Sequence, residues 1–473
     1  MKRAFKQQEI KVIDFHLFMS KLEVNLDLIR KYDVPGPRYT SYPTAPHFSE
    51  EINWGKIVPM IRSNNNDSDK PLSLYFHLPF CRSLCWFCGC TNVISQDPES
   101  SKQYLKYLRK ELNLVTPLMN PKRKAVQLHF GGGSPSFLSA KEILTLGDWI
   151  HHHFPFTDTY EAGVEVDPRT VTEEKMKAFA AVGFNRISIG IQDLNPEVQQ
   201  TVHRVQPHEL NLRTLDWARS CGIQSVNVDL IYGLPHQTTT SFEHTLDEVL
   251  KMCPDRFAVF NYAHVPWLKK AQAALTPLPP EQKMELLKMT IEKLTSSSYT
   301  YIGMDHFALE NDELTQAQKN KTLQRNFQGY STHAGSDIYA FGMSSISQTD
   351  SAYWQNEKDL KQYYSLLDDG HPVQRKGYIL SEDDKIRHQT IMRLMCDLEL
   401  NYAEMSRKLG IDFASYFAEE LSSLQDMEMD HLIYRDKNGF KVTDTGRLLI
   451  RNIAMKFDVY LRTDKQRKYS RTV

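Results

Sequence analysis

Long uninterrupted apolar runs are missing from this chain of 473 residues. None approaches the roughly 18–20 residues that a membrane-spanning helix requires, so a helical membrane protein is excluded. An excess of charge is missing too: 57 Lys and Arg stand against 58 Asp and Glu, a formal net charge of −1. So neutral a chain is not a bulk electrostatic binder of nucleic acid. Cysteine is scarce, with seven residues. A disulfide-stapled scaffold is thereby excluded, and a chain of this length buries enough core without one. The N-terminal stretch 1–20 lacks a long apolar centre because Asp14 interrupts it. It reads as neither signal peptide nor anchor. A hydrophobic fraction of 41% excludes a disordered chain, and the length predicts about two to four domains.

What is present is an alternation. Apolar, β-branched runs recur at 72–78, 125–130, 162–166, 186–191, 225–231 and 257–262. Helical patterns separate them at 101–114, 140–153, 173–182, 196–204 with 209–220, and 239–252. Strand–helix alternation predicts βαβ units on a parallel sheet, an α/β fold. Six units fall short of the eight of a closed barrel, so a partial, open (β/α)6 TIM-like barrel fits. The expected organisation is an N-terminal arm with helices over 1–70 and the barrel over 71–310. Connecting loops that contribute to the site follow over 311–360, then a mostly α-helical, winged-helix-like domain over 361–473. A seventh strand is expected at 301–304, a hairpin turn at Asn438-Gly439 and a final helix over 443–461.

Four of the seven cysteines crowd together as Cys81-x3-Cys85-x2-Cys88-x-Cys90, directly after the first strand. Without a secretory signal the expected compartment is the reducing cytoplasm, where clustered thiols read as metal or redox ligands. Three thiolates on one loop fill three corners of a [4Fe–4S] cube and leave one iron open. A closed zinc site and buried, metal-free cysteines remain alternatives from spacing alone. The second strand ends in Gly131-Gly132-Gly133-Ser134-Pro135, where glycine permits close backbone approach to a ligand. Glu165 and Asp167 end the third strand, Gln192 and Asp193 the fourth. Asp229 lies on the fifth, and Asn261 to His264 end the sixth. Polar residues at successive carboxyl ends mark one rim of a sheet, where such folds place their sites.

These segments carry a resemblance. The cysteine motif, the GGG loop, PGPRYTSYPTA (35–45), EVDPR (165–169), NVDLIYGLP (227–235), YIGMDHFA (301–308) and RNFQGY (325–330) resemble the oxygen-independent coproporphyrinogen III oxidases, in the radical S-adenosylmethionine superfamily. The resemblance spans about residues 22–473. It implies a radical-SAM barrel whose [4Fe–4S] cluster is held by Cys81, Cys85 and Cys88, with Tyr75 and Cys90 assigned to catalysis. It places Tyr75, Phe87, Gly132 and Glu165 around a first S-adenosylmethionine. Gly133, Ser134, Gln192, Arg204, Asp229, Ala263 and Ile346 match a second possible S-adenosylmethionine site. Ser134 stands where threonine is usual and keeps the hydroxyl. The implied reaction converts two propionates of coproporphyrinogen III to vinyl groups, giving protoporphyrinogen IX for haem synthesis. It needs an electron donor for the cluster and an electron acceptor, both unidentified; nucleic acid and membrane are not expected partners, and a monomer is expected.

Four propionates call for cations, and Arg38, Arg325 and His333 are candidates. Tyr39 and Tyr42 either cover the macrocycle or staple the arm to the barrel. His151 to His153 read as favourable charge at a helix C-terminus. Cys221, Cys253 and Cys396 read as core residues. The nearest rival is a haem-binding chaperone of the same superfamily, which typically lacks the fourth cysteine and the N-terminal arm. A second rival reads the winged-helix pattern and the basic tail (Lys465, Arg467, Lys468, Arg471) as a nucleic-acid binder.

Overall fold

A computed structural model of the chain describes residues 24–66, 68–463 and 469–472. The N-terminal stretch 1–20 and the tail residues Lys465, Arg467 and Lys468 lie outside the described residues. The six expected strands form as β1 (Leu72–Leu78), β2 (Ala125–Gly132), β3 (Phe156–Val166), β4 (Arg186–Gln192), β5 (Ser225–Tyr232) and β6 (Arg256–Asn261). Each pairs in parallel with the next. Helices connect them, and their bounds follow local chemistry. Helix Ala140–His153 starts on a reciprocal cap between Ser139 and Glu142 and buries Ile143, Leu146 and Ile150 at helical spacing. Its Gly147 is required by packing, because an added Cβ would lie 2.4 Å from Val182 of the following helix.

The sheet extends beyond these six strands on both flanks. β7 (Tyr299–Gly303) and β8 (His306–Leu309) form a hairpin whose second strand pairs antiparallel with β6. On the other flank β9 (Asp337–Phe341) joins β1 in parallel, followed by antiparallel β10 (Ile346–Gln348), β11 (Ala352–Asn356) and β12 (Gln374–Ile379). The twelve strands run in the order β12-β11-β10-β9-β1-β2-β3-β4-β5-β6-β8-β7. Residues 311–360, expected as connecting loops, thus supply three strands of the main sheet. β9 is five residues long and wholly buried, yet it opens on an aspartate. Asp337 is satisfied there by Arg123, itself 1% exposed, by Lys70 at 3.0 Å and by the Asn64 amide at 2.7 Å. A buried ion pair of this kind hides a strand from a reading based on apolar runs.

A second core belongs to the C-terminal segment, where Ile391, Leu394, Phe413, Phe417 and Phe457 pack with Tyr39 and Tyr42 of the arm. Both tyrosines are fully buried; the Tyr39 hydroxyl donates to Asp458 at 2.9 Å, and the Tyr42 hydroxyl accepts from the Val459 amide at 3.2 Å. They staple the arm to the C-terminal segment. The expected hairpin forms from Ile433–Asp436 and Gly439–Val442, with Glu399–Asn401 as a third strand. The single helix expected over 443–461 is instead three short ones, Asp444–Leu448, Ile450–Met455 and Tyr460–Thr463. The breaks turn Arg451 inward, where it donates to the carbonyls of Gly36, Pro37, Arg471 and Thr472. Arg471, one of the basic tail residues, is tied to Asp33. Among the described residues no helix is long and apolar enough to cross a membrane.

Candidate active site

A cavity of about 570 Å³ runs through the barrel lumen to the carboxyl rim of β1–β6. Closed barrels fill this space with branched apolar side chains. Here the inward positions of β4 are Arg186, Ser188, Gly190 and Gln192, and those of β5 begin Ser225, Asn227, Asp229. Their neighbours in sequence, such as Ile189, Ile191, Val226 and Val228, are buried in the apolar core. Strand alternation thus separates an apolar outer face from a polar lumen.

The cysteine loop closes the top of this space. Its backbone is held from three directions: the Trp86 amide donates to Val202 at 3.0 Å, the Gln272 amide to the Phe87 carbonyl at 2.9 Å, and Lys269 to the Cys90 carbonyl at 2.5 Å. Cys81, Cys85, Cys88 and Cys90 all line the cavity. Cys85 Sγ accepts from the guanidiniums of Arg169 and Arg204, each at 3.4 Å. Cys88 Sγ accepts from the Cys90 amide and from Asn92, each at 3.4 Å. The Cys88 thiol is drawn down to about 6, chiefly by its hydrogen bond with the Cys90 side chain. Burial, with the neighbouring Cys88 and Cys85, pushes Cys81 up to about 12.

The glycine loop is bonded to the segment that leads into the cysteines. Gly133 N–H donates to Leu78 at 2.9 Å and Ser134 N–H to Phe80 at 3.0 Å. Gly132 sits at φ 114°, where L side chains are disfavoured. A Cβ on Gly133 would stand 2.3 Å from the Pro79 carbonyl oxygen. Glu165 accepts from the Gly132 amide and lies against His129, each at 3.3 Å. Burial works to raise the Glu165 carboxyl, but His129 and the Gly132 amide outweigh it and hold it below the usual range. Asp167 is likewise held at about 2, burial being overcome by Arg204 and Arg169. Asp229 goes the other way, up to about 7, because burial and nearby Glu165 outweigh its bonds from Ser188 and Asn227, both at 2.7 Å.

Of the residues expected around S-adenosylmethionine, Phe87, Gly132, Gly133, Ser134, Glu165, Gln192, Arg204, Asp229 and Ala263 line this one cavity. Tyr75 stands behind it, stacked on the lining residue His129 with ring centres 5.9 Å apart and bonded to His77 at 3.1 Å. Ile346 is not among the lining residues; it begins β10 and packs with Phe48, Tyr353 and Leu380. None of the three candidate propionate partners is among the lining residues: Arg38 is ion-paired with Asp305, and Arg325 is buried beside the lining residue Tyr330. Cys396 is a core residue as expected and Cys221 is partly buried, but Cys253 is exposed. His151 to His153 end their helix, and His151 bonds the Val182 carbonyl at 2.9 Å. His129, Arg169, Ser188 and Asn227 were given no role, although Arg169 and Asn227 fall inside the EVDPR and NVDLIYGLP segments. For His129, Ser188 and Asn227 the signal was the period-two alternation of polar residues inside otherwise apolar strands.

The residues present fit an iron–sulfur cluster. Three thiols share one cavity, two guanidiniums donate to the sulfur of one of them, and the adjoining glycines leave no Cβ in the way. Among the described residues, no three His, Cys, Asp or Glu are gathered closely enough to hold a single metal ion. A cluster does not need them to be, since each thiolate meets its own iron.

Comparison with known proteins agrees with this geometry. Residues 75–249 match the radical SAM superfamily and residues 380–449 the HemN C-terminal domain. The oxygen-independent coproporphyrinogen III oxidase of Synechocystis sp. is 44% identical over 460 residues, covering 96% of this chain and 98% of that protein. The Escherichia coli protein of the same name is 43% identical over 459 residues, covering 96% and 100%. The solved structure of coproporphyrinogen III oxidase (HemN) from Escherichia coli, described as a radical SAM enzyme, superposes with a TM-score of 0.88 at 42% identity, covering 93% of this chain and 100% of that one. With cysteine loop, glycine loop and polar lumen in one cavity, and likeness over nearly the whole length, the chain belongs to the oxygen-independent coproporphyrinogen III oxidases of the radical S-adenosylmethionine superfamily.

Proposed function

We propose that the lumen residues described above divide the work of the family reaction among themselves. The chain is a radical S-adenosylmethionine oxidoreductase that converts two propionates of coproporphyrinogen III to vinyl groups without oxygen, giving protoporphyrinogen IX. Its cofactors are a [4Fe–4S] cluster and S-adenosylmethionine. When bound, these supply a 5′-deoxyadenosyl radical that takes hydrogen from a propionate β-carbon, after which carbon dioxide and one electron depart and a vinyl group remains.

The protein's part is to hold, orient and exclude water. Cys81, Cys85 and Cys88 would hold the cluster, and Arg169 and Arg204 would offset the negative charge of its thiolates. Glu165, kept ionised by His129 and the Gly132 amide, keeps a further lone pair on each oxygen to accept from ribose hydroxyls. The bare backbone of Gly132 and Gly133 lets a polar ligand end approach closely. Tyr75 stiffens the lumen wall by stacking on His129, and Cys90 tunes Cys88 through its amide and thiol. Gly133, Ser134, Gln192, Arg204, Asp229 and Ala263 offer a second set of contacts on the same cavity, the place for a second S-adenosylmethionine. Ile346, assigned with them, packs with Phe48 and Tyr353 instead of lining the cavity. The C-terminal segment secures the arm over the barrel. The expected setting is the reducing cytoplasm, as a monomer, with a one-electron donor for the cluster and an electron acceptor for the product step.

The observation that carries this reading is the convergence of three loop thiols and the glycine loop on one polar cavity. It is tested by anaerobic turnover of iron-reconstituted protein with S-adenosylmethionine, reductant, an electron acceptor and coproporphyrinogen III. Protoporphyrin and 5′-deoxyadenosine are expected together, and both vanish in Cys85→Ser. Deoxyadenosine without vinyl product would overturn the substrate, and haem binding without turnover would favour the chaperone.

A further inference from the structure

A hairpin of residues Gln324–Asn326 and Gly329–Ser331 sits beside β8 at the side of the lumen. It carries Arg325, which is 5% exposed. Nη2 of Arg325 donates to the Arg38 carbonyl at 3.4 Å, whereas Nε and Nη1 meet no partner. The guanidinium lies 4.8 Å from the ring centre of Tyr330, and a ring face does not replace a counter-ion. The other cations of this region are engaged. Arg38 is paired with Asp305, Arg451 is held by four backbone carbonyls, and Arg447 reaches the Tyr301 carbonyl and Gln318. Two further polar groups beside Arg325 are also without partners: Nδ1 of His306, and both amide atoms of Gln328. Both residues line the cavity, as does Tyr330.

A buried guanidinium without an anion costs several kcal/mol, and native proteins rarely leave one so. Several unpaired groups at one place compound that cost. They are explained together if an anion arrives from outside. A carboxylate suits them, because its two oxygens accept several hydrogen bonds and match the guanidinium fork. We propose that Arg325, with Gln328 and His306, is the seat for one propionate carboxylate of the substrate, and specifically one that is not being decarboxylated. A carboxylate gripped by a cation is stabilised in its charged state and held back from leaving as carbon dioxide. The seat therefore positions the macrocycle so that a different propionate faces the cysteine rim. This inference rests on the reaction given under Proposed function.

The test measures turnover of coproporphyrinogen III by the reconstituted holoenzyme, in wild type, Arg325→Gln and Arg325→Lys. Loss of charge-assisted bonds predicts a rise in KM of about 10- to 100-fold for Arg325→Gln, with kcat falling by less. Arg325→Lys is expected in between, since a point charge replaces a fork. In parallel, thermal unfolding is followed with coproporphyrin III and with its tetramethyl ester. The free acid is expected to raise Tm of the wild type, and the ester is not. Arg325→Gln loses that rise yet melts, without ligand, no lower than wild type, because an uncompensated charge is gone. A folded Arg325→Gln protein with wild-type KM and an undiminished Tm rise would overturn the seat. If wild type fails to convert coproporphyrinogen III, the reaction reading fails instead. The melting comparison then still decides: a free-acid rise lost in Arg325→Gln upholds a carboxylate seat, and its absence in wild type overturns it.

Discussion

Adding one methyl group at Gly133 is expected to disable the enzyme by forcing two neighbouring backbone segments apart. The Cβ of Gly133→Ala would lie 2.3 Å from the carbonyl oxygen of Pro79, 2.4 Å from its carbon and 2.9 Å from the Phe80 nitrogen. Ordinary contact lies at about 3.5 Å, so the two segments must part by about 1 Å. The obstacle is backbone and cannot rotate aside. The same two segments are joined by Gly133 to Leu78 at 2.9 Å and Ser134 to Phe80 at 3.0 Å, bonds that parting would stretch. Overpacking costs about 1–3 kcal/mol and each weakened bond about 0.5–1.5 kcal/mol. A stability loss of about 2–6 kcal/mol follows. Cys81 lies two residues beyond Pro79, so the displacement reaches the thiols, and a misplacement of about 1 Å costs on the order of 100-fold in rate. Urea unfolding measures the first effect; bound iron after anaerobic reconstitution and deoxyadenosine formation measure the second. Gly89→Ala is the control, because nothing lies within 4 Å of its added Cβ, and its stability should stay within about 0.5 kcal/mol. A Gly133→Ala protein with wild-type stability and turnover, or an equal loss of stability in Gly89→Ala, would refute the reasoning.

Removing the carboxylate of Asp337 leaves Arg123 charged and buried, so Asp337→Ala should lose about 3–5 kcal/mol in urea unfolding. The double replacement Arg123→Met with Asp337→Leu should recover most of it, and failure to recover would remove the ion pair as the cause. Asp229 titrates higher when folded, at about 7, than its ordinary 3.8. The native state therefore keeps this proton longer, and the stability it contributes is full below about pH 4 and lost as pH rises through about 7. Asp229→Asn should remove that dependence and stabilise the protein at pH 8 by as much as about 4 kcal/mol; parallel Tm-against-pH curves for the two proteins would contradict it.

The barrel was legible because its strands keep apolar residues on the face turned to the helices. Ile187, Ile189 and Ile191 in β4, and Val226, Val228 and Leu230 in β5, each announce a strand and are buried. The cysteine loop was legible because spacing along a short loop is set by covalent reach. The flank from β9 to β12 was hidden for opposite reasons. Asp337 reads as a loop residue until its partner Arg123, 214 residues earlier, is in place. Ile346 was carried over by resemblance alone, with no local pattern behind it; it packs with Phe48, Tyr353 and Leu380 and is not among the lining residues. Arg325 shows a further limit, for no local pattern tells a guanidinium that has a carboxylate from one that lacks it.

The arm ends up pinned by the far end of the chain: Gly36 N–H donates to Ser470 at 2.9 Å and Thr472 N–H to Val34 at 2.8 Å. Between them lie more than 430 residues, yet loop closure grows only with the logarithm of length and is thermodynamically mild. Kinetically it weighs more, because contacts of such sequence separation slow folding. On a ribosome the barrel strands and the cysteine loop emerge hundreds of residues before this clasp can close. Arg38, which follows the clasped residues and whose carbonyl meets Arg325, waits with it. The carbonyl that Arg325 donates to is therefore held in place by a contact that only a chain carrying residues 470–472 can make.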